Sequence, residues 1–176
     1  DVKLDLNGIA AGYTVDRISE RFAELNIKSY MIEVTGELTA TGRKPDGSPW
    51  RIALEQPLVD GQRAIQRILE IDGYGVNTSG DYRNYFEEGG VRFSHTIDPR
   101  NGTPIKHNLA SVTVVDRSTL RADGVGTLLL VLGPEHGLAF AEAHKIAAFF
   151  VMRDGDGFIT QVSSEFSRIF PEGGNQ

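Results

Sequence analysis

The chain has 176 residues, of which 40% are hydrophobic and 24% are charged, and its formal net charge is -6. This composition is typical of one globular domain with a packed core. The acidic balance argues against nucleic acid as a partner, because contacts to phosphate backbones need clustered lysine and arginine. The chain contains no cysteine, which excludes disulfides, thiolate catalysis and cysteine-ligated zinc or iron–sulfur sites.

The first predicted elements are a strand, a turn and a helix. Apolar and charged residues alternate over residues 2–6, and Asn7-Gly8 interrupts the alternation. Over residues 9–25 apolar side chains recur at helical spacing, which predicts an amphipathic helix. Asp5 would then end a strand that leads into a helix N-terminus, a place that attracts phosphate. An ordinary capping turn beside a solvated Asp5 would give the same pattern.

Short strands and two further helices follow along the chain. Strands are predicted at residues 29–34, 38–41, 50–54, 67–71, 91–97 and 110–115, joined by segments rich in Gly, Pro and Asp. Helices are predicted at 120–132 and 135–144, separated by Gly133-Pro134, and a hairpin at 147–152 and 158–162 precedes a helical turn capped by Ser163. The sequence predicts one α+β domain over residues 1–170, with a mostly antiparallel sheet and helices packed against one face. Residues 171–176 are predicted to be a flexible tail.

Asp123 and Thr127 are the strongest candidates for a metal site. They are four residues apart in a predicted helix, so both side chains project from one face. Two hard oxygen ligands on one turn suit magnesium, which often binds substrate phosphates as well. The same spacing would result if Asp123 were an acid favoured in the first turn of a helix and Thr127 a threonine buried in the core. Gly124 and Gly126 each cost up to ~1 kcal/mol in a helix, which favours close approach of a metal, a ligand or another backbone.

The segment over residues 77–104 is interpreted as sharply turning backbone beside polar side chains, which is typical of ligand sites. Ser79 and Gly80 are predicted to form a turn whose N–H groups cradle an anion. A Ser-His-Asp hydrolase is the weaker alternative, because Ser79 lacks the surroundings of an esterase elbow. His95 is predicted to be half-buried in a strand, where Asp98 could tune it as a general base. A structural or exposed histidine is the alternative.

Five segments together carry a resemblance to a known family. DLNGIAAGYTVD, SPWRIALEQP, NTSGDYRNYF, RFSHTIDPRNGTP and RADGVGT occur in the order and rough spacing of the ApbE family of FAD:protein FMN transferases. The chain resembles the C-terminal part of that family over essentially its whole length. The resemblance implies a T-fold-like architecture and an enzyme that binds FAD and magnesium, breaks the pyrophosphate and releases AMP. FMN would pass to a threonine of an acceptor flavoprotein. Hydrolysis of FAD to FMN and AMP, or FAD binding without turnover in a maturation factor, stay open.

The resemblance also implies roles for particular residues. Magnesium would be held by the backbone carbonyl of Gly8 together with Asp123 and Thr127. Gly126 stands where some members have an acid that helps the metal, so its side chain cannot contribute here. Thr35-Gly36 stands where many members have Gly-Gly, in a loop that approaches FAD.

Flavin contacts and the proton transfer are assigned in the same way. The resemblance implies flavin contacts from Asp5, Ala11 and the region of Ile97, and Ala11 stands where other members often have Lys or Glu. His95 is the candidate base for the threonine proton, with Asp98 orienting the turn. Family members are typically exported and often lipid-anchored. We therefore expect a periplasmic or exported protein, either free or anchored to the inner membrane as a lipoprotein through a segment that precedes this chain.

Overall fold

The computed structural model describes residues 6–56, 64–80, 85–88 and 91–171. Residues 1–5, including Asp5, fall outside these ranges, so the predicted first strand stays a prediction. In chain order the elements are α1 (Asn7–Glu24), β1 (Tyr30–Val34), β2 (Glu37–Thr41), β3 (Trp50–Gln56), β4 (Ala64–Ile71), β5 (Tyr74–Gly80), β6 (Tyr85–Glu88), β7 (Val91–Ser94), β8 (Ile97–Asp98), β9 (Thr103–Pro104), β10 (Leu109–Asp116), α2 (Thr119–Ala143), β11 (Ala147–Asp154), β12 (Gly157–Val162) and α3 (Ser164–Ile169).

Six strands form the central sheet in the order β1-β2-β5-β10-β11-β12. Each neighbouring pair is antiparallel. The pairs β3–β4, β6–β7 and β8–β9 form separate two-stranded sheets. The α+β class with a mostly antiparallel sheet, predicted from the sequence, is therefore confirmed.

Both faces of the central sheet are covered. Along β11, Ala148 and Phe150 belong to the core cluster that contains Leu129 of α2. Phe149 and Val151, which point to the opposite face, belong to a second cluster with residues of β3, β4 and α3. Helix α1 packs on α2. The expectation that all helices share one face is wrong for α3, because β11 is apolar on both sides and needs a cover on each.

Helix α2 changes direction at the predicted break. Gly133 has φ 79° and ψ -179°, and Pro134 follows it. In a regular helix the N–H of residue 134 would bond to the carbonyl of Leu130, but proline has no N–H. Nε2 of His107 lies 2.8 Å from that carbonyl oxygen and satisfies it. The break predicted between two helices is thus confirmed as a kink within α2, and His107 supports it through this contact.

The strand β5 was not predicted, although it lies in the middle of the central sheet. Its sequence, YGVNTSG, has few large apolar residues, so a search for apolar alternation passes over it. The predicted strand over residues 91–97 is also corrected. Strand β7 ends at Ser94, the chain bends at His95, and a separate short strand begins at Ile97.

Helix α2 is long and apolar enough to cross a membrane by length and composition alone. It packs on β5 and β10 and carries Leu129 and Leu130 in the core cluster. We therefore interpret it as the core helix of the domain.

The N-terminus of α2 is capped by an acid from α1. The carboxylate of Asp16 accepts hydrogen bonds from the hydroxyl of Ser118 (2.7 Å) and from the backbone N–H groups of Thr119 (2.8 Å) and Leu120 (3.1 Å). These N–H groups have no partner within their own helix. The cap therefore fixes the position of α2, and of every side chain on it, relative to α1.

Replacement of this capping acid tests the contact between the two helices. We expect Asp16→Ala to lower the free energy of unfolding by about 1–2 kcal/mol, because two backbone donors lose their acceptor. Chemical denaturation of both proteins measures the difference. The control is Arg17→Ala at the next position, where an exposed ion pair with Glu20 contributes little. Equal stabilities of the two variants would contradict the role of the cap.

Candidate functional site

A buried carboxylate lies between the two packed helices and the sheet. The side chain of Asp123 on α2 is only 5% exposed. Its Oδ2 accepts a hydrogen bond from the backbone N–H of Gly12 at 3.0 Å, and its Oδ1 accepts one from Nδ2 of Asn77 at 3.4 Å. Each carboxylate oxygen thus has a protein donor, and the orientation of the group is fixed by contacts from α1 and β5.

The electrostatic environment of this carboxylate is unfavourable in the protein alone. Burial raises the pKa of Asp123, the N–H of Gly12 lowers it, and the negative charge of Glu37 raises it again. The net shift is upward from the ordinary value of 3.8. A bound cation would offset both the burial and the repulsion from Glu37, since an opposite charge favours the ionised form.

Close packing of α1 on α2 depends on a glycine. A Cβ on Gly12 would lie 2.5 Å from the carbonyl oxygen of Thr119, and 2.8 Å from both Cβ of Asp123 and Cα of Leu120. In a regular helix the N–H of Gly12 would bond to the carbonyl of Gly8. A backbone carbonyl has two lone pairs, so the Gly8 carbonyl has acceptor capacity beyond one helical hydrogen bond.

Three of the predicted site residues meet at this place. A Cβ on Gly8 would lie 4.0 Å from Oγ1 of Thr127, and Thr127 lies one helical turn after Asp123 on α2. Ala11 lies three residues after Gly8 on α1, so it shares that helix face. The structure therefore brings together the start of α1 and the Asp123–Thr127 face of α2, the grouping that the family resemblance implied.

The oxygen atoms at this place fit a small divalent cation. They are a carboxylate, a hydroxyl and a backbone carbonyl, which are the hard donors that magnesium prefers. Within the described ranges, no group of three or more His, Cys, Asp or Glu side chains could hold a metal. Such a site would therefore not suit a metal that needs an all-protein cage. It suits an ion that completes its coordination with water and substrate phosphate.

Strand β5 supplies polar contacts that the sequence did not predict. Asn77, which is 2% exposed, donates through Nδ2 to Oε1 of Glu37 at 3.0 Å as well as to Asp123. Its Oδ1 accepts a hydrogen bond from Oγ of Ser79 at 3.0 Å. Alternation along a strand puts residues 77 and 79 on one face, and this signal was missed because β5 itself was not predicted.

The predicted Ser-Gly turn is corrected by the structure. Ser79 and Gly80 are the last two residues of β5 and pair with Val112 and Ser111 of β10. The polar composition of NTSG resembles a turn, yet this segment forms the end of a central strand in which Asn77 and Ser79 face the buried site. Flavin contacts by Ser79 and Gly80 stay a prediction.

The two glycines between Asp123 and Thr127 are explained by packing. A Cβ on Gly126 would overlap Oδ1 of Asn77 and would lie 2.8 Å from Oγ of Ser79. A Cβ on Gly124 would lie 3.1 Å from the side chain of Ile9. The predicted close approach is therefore real, but the partners seen in the structure are protein side chains.

The second group of predicted residues lies on a different segment, around β8. His95 is exposed and lies in the bend between β7 and β8, so its predicted half-burial is wrong. The alternation of strand residues stops at Ser94, and Ser94 is buried instead of His95. Ile97 is 49% exposed. The side chains of His95 and Ile97 are therefore both accessible to solvent.

Asp98 organises the turn that follows β8. Its carboxylate forms an ion pair with Arg100 at 2.8 Å and also accepts a hydrogen bond from the amide of Asn101. Its carbonyl accepts the N–H of Gly102 at 2.8 Å. The Arg100 side chain lowers the pKa of Asp98, so the group stays ionised at neutral pH. Asp98 therefore has a structural role within its own turn, and its predicted effect on His95 stays a prediction.

The fold and the site define the class of protein. The family model described as the ApbE family matches residues 1–150. The chain belongs to the ApbE family.

Individual relatives agree with this assignment. The chain is 44% identical over 168 residues to the FAD:protein FMN transferase of Haemophilus influenzae, covering 96% of this chain and 49% of the relative. It is 47% identical over 166 residues to the enzyme of the same name from Vibrio cholerae, covering 94% and 49%. The chain spans about half the length of the curated relatives it matches.

A solved structure has the same fold. The crystal structure of the apo form of the Pseudomonas stutzeri flavinyl transferase ApbE superposes with a TM-score of 0.86 at 58% identity, covering 97% of this chain and 52% of that chain. The predicted ApbE-like architecture is confirmed by this similarity.

Proposed function

We propose that the protein containing this chain transfers FMN from FAD to a threonine hydroxyl of an acceptor flavoprotein, with magnesium, and releases AMP. The observation that carries the proposal is that Gly8 and Thr127 lie beside the buried carboxylate of Asp123. It supports the proposal because FAD carries a negatively charged pyrophosphate, and a magnesium ion held at a site of this kind would bind it. The printed activity of the relatives supports the choice of FAD and of a protein acceptor.

The reaction breaks the phosphoanhydride bond of FAD and forms a phosphoester bond to the acceptor. The threonine oxygen attacks the phosphorus of the FMN half of FAD, and the bond from that phosphorus to the oxygen bridging to AMP breaks. AMP leaves with the bridging oxygen, and the hydroxyl proton passes to a base. Such transfers depend on positioning and on stabilisation of charge more than on covalent work by the protein.

The residues around Asp123 would bind and orient the pyrophosphate. The carbonyl of Gly8, the carboxylate of Asp123 and the hydroxyl of Thr127 would hold magnesium, which when bound supplies Lewis-acid stabilisation of the phosphate charge. The hydrogen bond from Gly12 keeps the carboxylate of Asp123 in a fixed orientation. Asp5, Ala11, Ser79, Gly80 and Ile97 are proposed contacts of the flavin nucleotide.

His95 is the proposed base. Its exposure allows a hydroxyl carried on a separate protein to reach it, whereas a buried histidine would be closed to a macromolecular acceptor. A general base must lie within hydrogen-bond reach of the proton that it takes. Asp98 supports this position through the bonds that close the turn after β8.

Two other outcomes share the same binding site. If water replaces the threonine, FAD is hydrolysed to FMN and AMP, and if no nucleophile reacts, the protein binds FAD as a maturation factor. Incubation of the full natural chain with FAD, magnesium and an acceptor bearing the target threonine separates them. We expect a fluorescent acceptor band on a denaturing gel. Free FMN without a labelled band would favour hydrolysis. Intact FAD would favour a maturation factor that binds FAD without turnover.

The proposed base makes a separate prediction. We expect His95→Ala to bind FAD as the wild type does and to transfer FMN at least about 100-fold more slowly, within the usual range for loss of a general base. Fluorescence titration measures FAD binding and the gel assay measures transfer. If FAD binding is lost together with transfer, His95 is a pocket residue and the assignment as base is wrong.

A further inference from the structure

Among the residues that the structure describes, Asn77 is the one whose side chain hydrogen-bonds to both acids of the site, the buried Asp123 and the half-buried Glu37. Its Nδ2 lies 3.0 Å from Oε1 of Glu37 on β2 and 3.4 Å from Oδ1 of Asp123 on α2. The side chain is 2% exposed. An uncharged amide thus stands between two carboxylates that would otherwise face each other in a poorly solvated place.

The orientation of this amide is determined by its neighbours. Oγ of Ser79 donates to Oδ1 of Asn77 at 3.0 Å, so the oxygen side of the amide is occupied and the NH₂ side faces the acids. Gly126 provides the space, because a Cβ there would overlap the same Oδ1. Side chains from β5, β2 and α2 therefore enforce one rotamer of Asn77, with both of its donor hydrogens directed at carboxylates.

We propose that Asn77 is a positioning residue of the magnesium site, an inference that rests on the proposed function. Its amide fixes Oδ1 of Asp123 while the N–H of Gly12 fixes Oδ2, so the carboxylate presents its remaining lone pairs in one direction. It also keeps Glu37 beside the site. Outer groups that orient a metal ligand in this way typically contribute about 10–100-fold to metal affinity.

The amide has a chemical advantage over the alternatives at this position. A third carboxylate would add repulsion to the pair Glu37 and Asp123, and an apolar side chain would leave their facing oxygens without a donor, which is costly when they are buried. A lysine would neutralise the charge that attracts the cation. Asparagine donates to both acids and leaves the net negative charge of the pair unchanged.

The test is the affinity of the full natural chain for magnesium, measured calorimetrically with MgCl₂ as the titrant and no FAD present. We expect Asn77→Ala to raise the dissociation constant about 10–100-fold. The matched control is Thr78→Ala, on the same strand, which loses a side-chain bond to Thr113 (2.8 Å) and should bind magnesium as the wild type does. Where the alanine variant does not fold, Asn77→Ser, too short to bridge the acids, is expected to show the same loss.

The outcomes separate this inference from the proposed function. Loss of magnesium binding in Asp123→Asn together with unchanged binding in the folded Asn77 variant would overturn the positioning role and leave the metal site intact. Unchanged binding in Asp123→Asn would overturn both. A change of melting temperature alone in the Asn77 variant, without weaker magnesium binding, assigns Asn77 to packing and contradicts the inference.

Discussion

Replacement of Asp123 by asparagine should abolish the metal-dependent activity without unfolding the protein. The variant keeps the shape of the side chain and removes the carboxylate charge. Loss of an outer supporting group already weakens metal binding by about 10–100-fold, so loss of a direct charged ligand should weaken it by at least about 100-fold. Transfer of FMN from FAD should fall to the background level. Calorimetry with MgCl₂ and the fluorescent-band assay measure the two effects.

The same variant should be at least as stable as the wild type when metal is absent. Burial and the charge of Glu37 raise the pKa of Asp123, which means that its ionised form opposes folding at neutral pH. Asparagine removes that cost and can still accept the N–H of Gly12, while its NH₂ group then faces the Nδ2 donor of Asn77 and offsets part of the gain. Each kcal/mol gained would raise the melting temperature by roughly 2–4 °C for a domain of this size. A large fall in melting temperature in EDTA would show that Asp123 is chiefly structural and would contradict the metal assignment.

A methyl group at Gly12 should destabilise the protein strongly. Gly12→Ala places a Cβ 2.5 Å from the carbonyl oxygen of Thr119 and 2.8 Å from Cα of Leu120. Both are backbone atoms, so the clash is relieved only if α1 and α2 separate. Overpacking of this kind costs about 1–3 kcal/mol or more, although alanine gains up to ~1 kcal/mol in helix propensity. We expect a net loss of about 2 kcal/mol in chemical denaturation, with weaker magnesium binding.

A glycine one turn earlier provides the control for stability. The nearest atom to a Cβ on Gly8 is Oγ1 of Thr127, at 4.0 Å, which is ordinary contact. We therefore expect Gly8→Ala to be as stable as the wild type or slightly more stable. Equal denaturation midpoints for Gly12→Ala and the wild type would contradict the close helix contact on which the geometry of Asp123 depends.

The sequence predicted the regular parts of the fold because their patterns are strong. Helix α1 was expected at residues 9–25 and spans Asn7–Glu24, and the apolar strand predicted at 110–115 lies within β10 (Leu109–Asp116). In both elements the burial of apolar side chains determines how apolar residues are spaced along the chain, and this spacing can be read from the sequence alone. Ser163 also caps α3 as predicted, since its Oγ accepts the N–H of Phe166.

The prediction failed where polar side chains replace apolar ones inside the fold. Strand β5 contains Asn77 and Ser79 on the face toward α2, so its inward positions are polar and the alternation signal disappears. Contacts such as Asp16 to the N-terminus of α2 and Gly12 to Asp123 join residues more than 100 positions apart. Local spacing does not contain that information. The metal candidates were found because Asp123 and Thr127 are neighbours on one helix turn.

The most direct measurement is a crystal structure of the full natural chain soaked with Mn²⁺ as an anomalous stand-in for magnesium, in the presence of FAD. We predict an anomalous peak bonded to a carboxylate oxygen of Asp123, to Oγ1 of Thr127 and to the carbonyl oxygen of Gly8, at about 2.0–2.2 Å from each, with the pyrophosphate of FAD on its open side. A peak bonded to other residues, or FAD bound with no peak beside Asp123, would contradict the magnesium site between α1 and α2.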